Sequence, residues 1–286
     1  MKKLTTLITI TVLLTTAATA FNLSSIMGQN TGTVALVQLQ GSISSGSSGL
    51  GSTGITPEKI RDINQKIKQR NFDAAIYEWN SGGGAVVASK EIKRSIEDVK
   101  VPTVCRFRDV AASGAYLASL GCDRIVADSA SLTGSIGVKS SYLEYSGLLD
   151  KLGVEYVNIS AGKNKELGSR FQNASKKDVR ILKQKAEKIH EEFVQMVEQE
   201  RNLSDSQVEE VRTAEIFLGE KAKQLGLVDE IGGRETAANV AENLTDKKLR
   251  VEKIQTRQPF SFLSLMSSSV KSFLGASETP IQAEWP

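Results

Sequence analysis

The sequence is poor in the residues that many hydrolases and small secreted domains depend on: one histidine, two cysteines, five prolines and two tryptophans among 286 residues. The single histidine, His190, sits among charges in a long helical pattern rather than in a loop, so a solvated helical residue is the simpler reading and a Ser-His-Asp hydrolase is disfavoured. Two cysteines rule out a disulfide-dense scaffold, and with one histidine they supply no Cys/His cluster for a catalytic zinc. Neither sign of charge dominates, with 36 basic and 33 acidic residues and a net charge of +3. No global field draws the chain to nucleic acid. Nothing in the composition calls for a metal or a cofactor, and none is expected.

What is present is enough apolar material, 40% of residues, for a sizeable core. Lys2 and Lys3 precede an apolar, threonine-rich run from Leu4 to Leu14, followed by Ala18-Thr19-Ala20. That pattern reads as an export signal with an A-x-A-like cleavage site. Extended to Phe21 or Leu23, it approaches the roughly 17 to 20 residues of a spanning helix, so cleavage and anchoring both stay open. In either case the lysines stay cytoplasmic and the remainder is translocated. Cys105 lies in an apolar strand-like run and Cys122 just ahead of another. Two buried thiols are the simpler reading, with a disulfide as the alternative that export permits.

Periodicity divides the rest into alternating strands and helices. "TVALVQLQGSI" alternates as a strand, "SSGSSGLGSTG" is a flexible loop, and Thr56 caps a helix with Pro57 at its first position and Ile60, Ile63 and Ile67 on one face. "DAAIYEW" is a strand, "NSGGG" a loop, and a helix from about Ala85 carries Val87, Ile92 and Ile96. "VPTVCRF" reads as a strand, "RDVAA" as a turn, "SGAYLASLG" as a short helix and "DRIVA" as the next strand. "YLEYSGLLDKLG" follows as a helix and "VEYVNI" as a strand. From Ser175 to Arg201, Val179, Leu182, Ala186, Ile189, Phe193 and Val197 mark one amphipathic helix, and Ser204 to Gln207 forms a capping box. Such alternation indicates an α/β fold with a largely parallel sheet, in which ligands gather at the carboxyl ends of strands.

Two strand-to-helix loops have chemical potential there. Ser113 in "VAASGAY" is a helix cap, a nucleophile, or both. If its helix starts at this point, the neighbouring amides sit at the positive helix end, where they can hold an oxyanion. "NSGGG" is a second source of such amides. Without a histidine partner the serine needs a lysine as base, and that lysine must be desolvated enough to be neutral. "SAGKNKELG" offers Lys163 and Lys165. Plain readings of a cap, a tight turn and a surface charge stand beside these, and the two S-x-x-K matches, Ser160 to Lys163 and Ser268 to Lys271, carry no weight.

Taken in order, "NSGGG", "VAASGAYLASLGCDRIVADSASLTGSIGV", "GKNKELGSRF", "FVQMVEQERNLS" and "IFLGEKAKQLGLVDEIGG" resemble the short form of the signal peptide peptidase A family of serine-lysine proteases, over about Val34 to Ala241. The resemblance implies a crotonase-like fold shared with Clp-type proteases, built of repeated ββα-type units and preceded by an N-terminal signal or anchor helix. It places the nucleophile at Ser113, the general base at Lys165 with Lys163 as the other candidate, a lysine-holding hydroxyl at Ser135, and the oxyanion amides at Gly83 and Gly114. It also implies cleaved signal peptides and other short or unfolded chains as substrates, a homo-oligomeric ring, and a bacterial-type membrane with the catalytic domain outside the cytoplasm. Gly82 stands where the family usually has proline, which frees a backbone angle, and Ala115 where it usually has glycine.

The expected organisation is a signal or anchor over residues 1–22, a peptidase domain over 32–245 and a tail over 246–286 with an amphipathic stretch. Two rivals accompany the protease reading. One is a ring-forming scaffold of the same fold that binds peptides without cutting them. The other is an acyl-CoA enzyme using the same amides on a thioester, against which export argues.

Overall fold

The computed structural model describes residues 31–46 and 54–254. The expected export segment and the tail beyond Ile254, with Ser268 and Lys271, lie outside the described residues, as does most of the Gly/Ser loop. Among the described residues, no helix is long and apolar enough to cross a membrane.

One mixed sheet organises the chain. Strand β1 (Thr31–Gln40) leads to helix α1 (Pro57–Gln69), β2 (Ala74–Ser81) to α2 (Val86–Glu97), and β3 (Thr103–Ala112) to the short α3 (Gly114–Ser119). The short strands β4 (Arg124–Ala127) and β5 (Leu132–Gly134) come next, both paired with β3. Thus the ββα repeat takes the form of single βα steps here, with a second pair of short strands only after α3. With β6 (Ile216–Leu218), β7 (Glu230–Ile231) and β8 (Lys248–Lys253), the strand order is β6-β5-β3-β2-β1-β8, with β4 and β7 off that path. All ladders are parallel except that of β5 with β6 (Ile216–Leu218).

Alternation along the strands sends side chains to two layers. Val37, Leu39, Tyr77, Trp79 and Phe107 face a core with Ile60, Ile63 and Ile67 of α1 and Ile92 and Ile96 of α2. Val34, Leu36, Ile76 and Val104 face the opposite side, against Ala237, Val240 and Ala241 of α8 (Arg234–Thr245). Thr56 and Pro57 start α1 as expected, the Thr56 hydroxyl accepting the Lys59 N–H at 3.3 Å. On α2, Ala88, Ile92 and Ile96 face inward at spacings of four, while Val87, one step off that face, is exposed.

Four expectations change. "RDVAA" is the second half of β3 rather than a turn, with a register shift where β3 leaves its straight pairing with β2. The boundary expected at residue 245 moves outward, because β8 (Lys248–Lys253) pairs with β1 from Thr31 to Leu36 and the compact unit closes at Ile254. Residues 154–159 form no strand and stay exposed, Ile159 at 94%. The cysteines are not free: Cys105 and Cys122 are bonded to each other, with Cα atoms 5.7 Å apart. Adjacency of β3 and β4 brings the two together, and no sequence pattern announced that pairing.

The C-terminal half is tied on by buried polar contacts. After α4 (Ser146–Leu152), α5 (Lys176–Arg201) starts with a Ser175–Asp178 capping box and buries only Phe193, Val194 and Val197. At its end Arg201 donates to both Asp229 oxygens and to the Gly226 carbonyl. Helix α6 (Asp205–Val211) carries the expected Ser204–Gln207 box and is followed by β6, α7 (Gly219–Gln224) and β7 (Glu230–Ile231). On the α8 side, the fully buried Glu78 carboxylate accepts from Arg234 at 2.9 and 3.0 Å, Arg106 at 3.3 Å and Gln38 at 2.9 Å. Burial pushes the Glu78 carboxyl up, but the Arg234 and Gln38 hydrogen bonds and the charges of Arg234 and Arg106 outweigh it and hold it below the usual range.

Cys105→Ser is expected to lower unfolding stability by about 3 kcal/mol, the cost of opening a loop of this length, and reductant is expected to lower the melting temperature of the parent but not of the variant. Glu78→Gln is expected to cost about 2 kcal/mol at neutral pH by removing the charge that strengthens the hydrogen bonds from Arg234 and Arg106. Because the folded Glu78 pKa lies below the unfolded value of about 4.3, its contribution is complete at neutral pH and is lost as pH falls through the folded value. Urea midpoints of parent and variant should therefore converge in acid.

Candidate active site

The carboxyl ends of β2, β3 and β5 meet at one place. β2 ends at Ser81 and the chain turns through Gly82, Gly83 and Gly84 into α2, while the segment after β1 clamps that turn: the Ile43 N–H donates to the Gly83 carbonyl at 2.9 Å and the Ala85 N–H to the Ile43 carbonyl at 3.0 Å. A Cβ on Gly84 would stand 2.0 Å from the Ile43 carbonyl oxygen, so no side chain fits. The Asn80 side chain joins the turn to β3, donating to Asp109 at 3.1 Å and accepting the Val110 N–H at 3.3 Å.

β3 ends at Ala112, and α3 opens at Gly114. Between them Ser113 adopts φ 54° and ψ −123°, a backbone conformation that residues with a side chain rarely take. Its N–H donates to the Gly134 carbonyl at 2.9 Å, and its carbonyl accepts the Leu117 N–H at 3.0 Å. Ser113 therefore occupies the N-cap position, yet its hydroxyl makes no capping hydrogen bond. The plain-cap reading fails here: the chain carries the strain and leaves the half-buried hydroxyl uncommitted.

Gly83 and Gly114 are backbone neighbours. A Cβ on Gly83 would fall 2.5 Å from the Gly114 nitrogen and 2.8 Å from the Ala112 carbonyl oxygen, and Gly83 has φ +95°. A Cβ on Gly114 would fall 2.4 Å from the buried Ser89 hydroxyl. Only two bare backbones can come this close, which places both amides beside Ser113. Ser135 follows the Gly134 carbonyl that holds Ser113, and it too has positive φ, 50°, with its N–H on the Glu215 carbonyl at 2.8 Å. Ser113, Gly83, Gly114 and Ser135 thus cluster at one sheet end.

Lys165 does not join them within the chain. It lies between α4 and α5 in a turn closed by its own N–H on the Gly162 carbonyl at 3.0 Å, and its side chain is exposed. Among the described residues no hydrogen bond or ion pair links its amine to Ser113. The expected desolvation is therefore absent in the single chain, because residues 154–159 found no strand partner to carry them onto the sheet. Lys163, also exposed, lines a small polar cavity of about 190 Å³ with Glu166, Gln172 and Asp178. His190 sits half-buried in the middle of α5, its Nε2 without a hydrogen-bond partner. No sequence pattern pointed to Ile43 as a clamp or to the Ser81 hydroxyl, which accepts the Gly83 N–H at 3.1 Å. A serine two residues ahead of a glycine is too common to single out.

A strained sheet-end serine beside two adjoining glycine backbones is an arrangement that acyl-transfer chemistry can use. Residues 95–248, more than half of the chain, match the model of peptidase family S49, and the chain belongs to that family. A relative in Methanocaldococcus jannaschii named as a protease is 35% identical over 202 residues, covering 68% of this chain and 65% of its own length. One in Enterococcus faecium, named as a signal peptide peptidase, SppA, is 36% identical over 189 residues, covering 65% and 54%. The chain thus spans between about half and two-thirds of these relatives. Among solved structures, the 1510-N membrane-bound stomatin-specific protease superposes with a TM-score of 0.53 at 17% identity, covering 81% of this chain and all of the other, a likeness of fold.

Backbone strain at Ser113 makes a prediction independent of activity. Ser113→Gly is expected to melt higher than Ser113→Ala, by the equivalent of about 1 kcal/mol or more, since glycine adopts this conformation freely and alanine does not. Calorimetry on the two variants measures the difference.

Proposed function

We propose that the chain is a serine endopeptidase in which Ser113 is the nucleophile and Lys165 the general base, acting on cleaved signal peptides and other short or unfolded chains. The observation that carries this reading is the strained Ser113, its hydroxyl free of any cap, beside the adjoining Gly83 and Gly114 backbones. In the proposed reaction the neutral Lys165 amine takes the Ser113 proton as the oxygen attacks the peptide carbonyl. The two amides hold the oxyanion, and the protonated lysine gives its proton to the leaving amine. Water then enters, loses a proton to the same lysine and releases the acyl group, restoring Ser113. Ser135 helps to hold the lysine.

Exposure of Lys165 bears on how the site is completed. In this reading the lysine-bearing arm, residues 154–175, docks beside Ser113 of a neighbouring copy in a homo-oligomeric ring. Support comes from its uncovered apolar residues, Val154, Val157 and Ile159, and from the first half of α5, where Val179 is exposed. The proposed location is outside the cytoplasm at a bacterial-type membrane, held by the N-terminal segment or released if it is cleaved. The Cys105–Cys122 disulfide suits such an oxidising compartment. The detached lysine is also what favours the second reading, a peptide-binding scaffold without turnover.

Intact mass after a fluorophosphonate probe separates the two. One adduct is expected on the parent and none on Ser113→Ala or Lys165→Ala, and mixing the two variants is expected to restore part of the activity if the lysine arrives from a neighbour. Because a general base acts unprotonated, turnover should rise from acid toward mildly alkaline pH. Folded parent protein that takes no adduct would leave the scaffold.

A further inference from the structure

The two amides proposed for the oxyanion are not in the same state. At the start of α3, Gly114 has no hydrogen bond from its N–H among the described residues. The Gly83 N–H is already engaged, donating to the Ser81 hydroxyl at 3.1 Å in a buried setting. Ser81 itself is 2% exposed, so water offers little competition for that bond. A carbonyl oxygen entering beside Ser113 meets one free donor and one that must first let go.

Gly82 explains how it lets go. A Cβ placed there would meet nothing within 4 Å, and Gly82 is not among the glycines with positive φ. Neither space nor handedness requires glycine at this position. What glycine adds is rotational freedom for the peptide joining residues 82 and 83. The flanks of that peptide are fixed: Ser81 is paired with Ala111 in the sheet, and the Gly83 carbonyl, Gly84 and Ala85 are held by Ile43. Freedom is thus confined to the one peptide plane whose N–H rests on Ser81.

We propose that Ser81 is a latch, a positioning residue whose hydroxyl holds the Gly83 amide away from the oxyanion site until a substrate carbonyl displaces it. This rests on the assignment of Ser113 and the two amides made above. The exchange favours the reaction selectively, because a developing oxyanion is a much stronger acceptor than either the neutral hydroxyl or the ground-state carbonyl. The latch therefore yields mainly in the transition state, and its own strength is subtracted from the rate.

The test is the rate at which the fluorophosphonate probe phosphonylates the full chain, the serine oxygen bonding to phosphorus as fluoride leaves, followed by intact mass. Ser81→Ala is expected to raise the second-order rate constant about threefold to tenfold, the factor that corresponds to one ordinary hydrogen bond. Ser81→Thr, which restores the acceptor, should return the rate toward that of the parent, an outcome that a purely packing role does not produce. If Ser81→Ala fails to fold, Ser81→Cys makes the same test with a weaker acceptor and should also be faster than the parent. An unchanged or slower rate in a folded variant still labelled at Ser113 overturns the latch alone. Labelling that persists after Ser113→Ala, or is absent from the folded parent, removes the nucleophile assignment and the latch with it.

Discussion

Gly83 and Gly114 lie backbone against backbone at the carboxyl ends of two neighbouring parallel strands, and the rest of the site depends on that approach. Any Cβ at either position would fall well inside contact distance of its neighbours. The approach is held from three sides: by the Ile43 segment on the first turn, by the Asn80 side chain between β2 and β3, and by the Gly134 carbonyl on the Ser113 amide. Parallel strands bring successive strand-to-helix turns to the same end of a sheet, so two turns far apart in sequence can face one reacting carbonyl. The strain at Ser113 follows from the same geometry, since the chain must leave β3 and enter α3 without carrying its hydroxyl into a cap.

Around this rigid centre the chain is divided between parts that are packed and parts that are not. The two faces of the sheet are closed by α1 and α2 on one side and α8 on the other, with Glu78, Arg106 and Arg234 tying the α8 side. Residues 154–175, which hold Lys163 and Lys165, and the first half of α5 are instead exposed or half-buried throughout. In the proposed reading, with Ser113 on the packed part as nucleophile and Lys165 on the exposed part as base, the chemistry is conditional on a docking event. The proposed latch repeats the same logic in miniature, with the Gly83 N–H resting on the Ser81 hydroxyl. In the proposed reading both features make the resting chain less reactive than its site residues alone would be.

Much of this was legible along the sequence. Periodicity located β1, α1, β2, α2 and α5, and Thr56-Pro57, Ser175 and Ser204 marked helix starts, because caps and amphipathic faces are local properties. The motif residues at Ser113, Gly83, Gly114 and Ser135 were legible as types, and the fold brings all four to one sheet end. What was misread depended on partners distant in the chain. "VEYVNI" has the alternation of a strand but no strand beside it, and "LRVEK" looked like a tail until β1 supplied its ladder. Two cysteines in different apolar runs became a disulfide only because β3 and β4 lie side by side.

The sequence by itself determined the class of fold, the family and the chemical types gathered at the site, since each follows from short patterns of apolar spacing, glycine and serine. Tertiary structure decided what those residues can do. It left Ser113 strained and uncapped, pressed two glycine backbones together, placed the Gly83 amide on Ser81 and kept Lys165 in solvent. Each of these depends on the distance between atoms far apart in sequence, which the order of residues constrains but does not state, and which only the packing of the complete sheet makes definite.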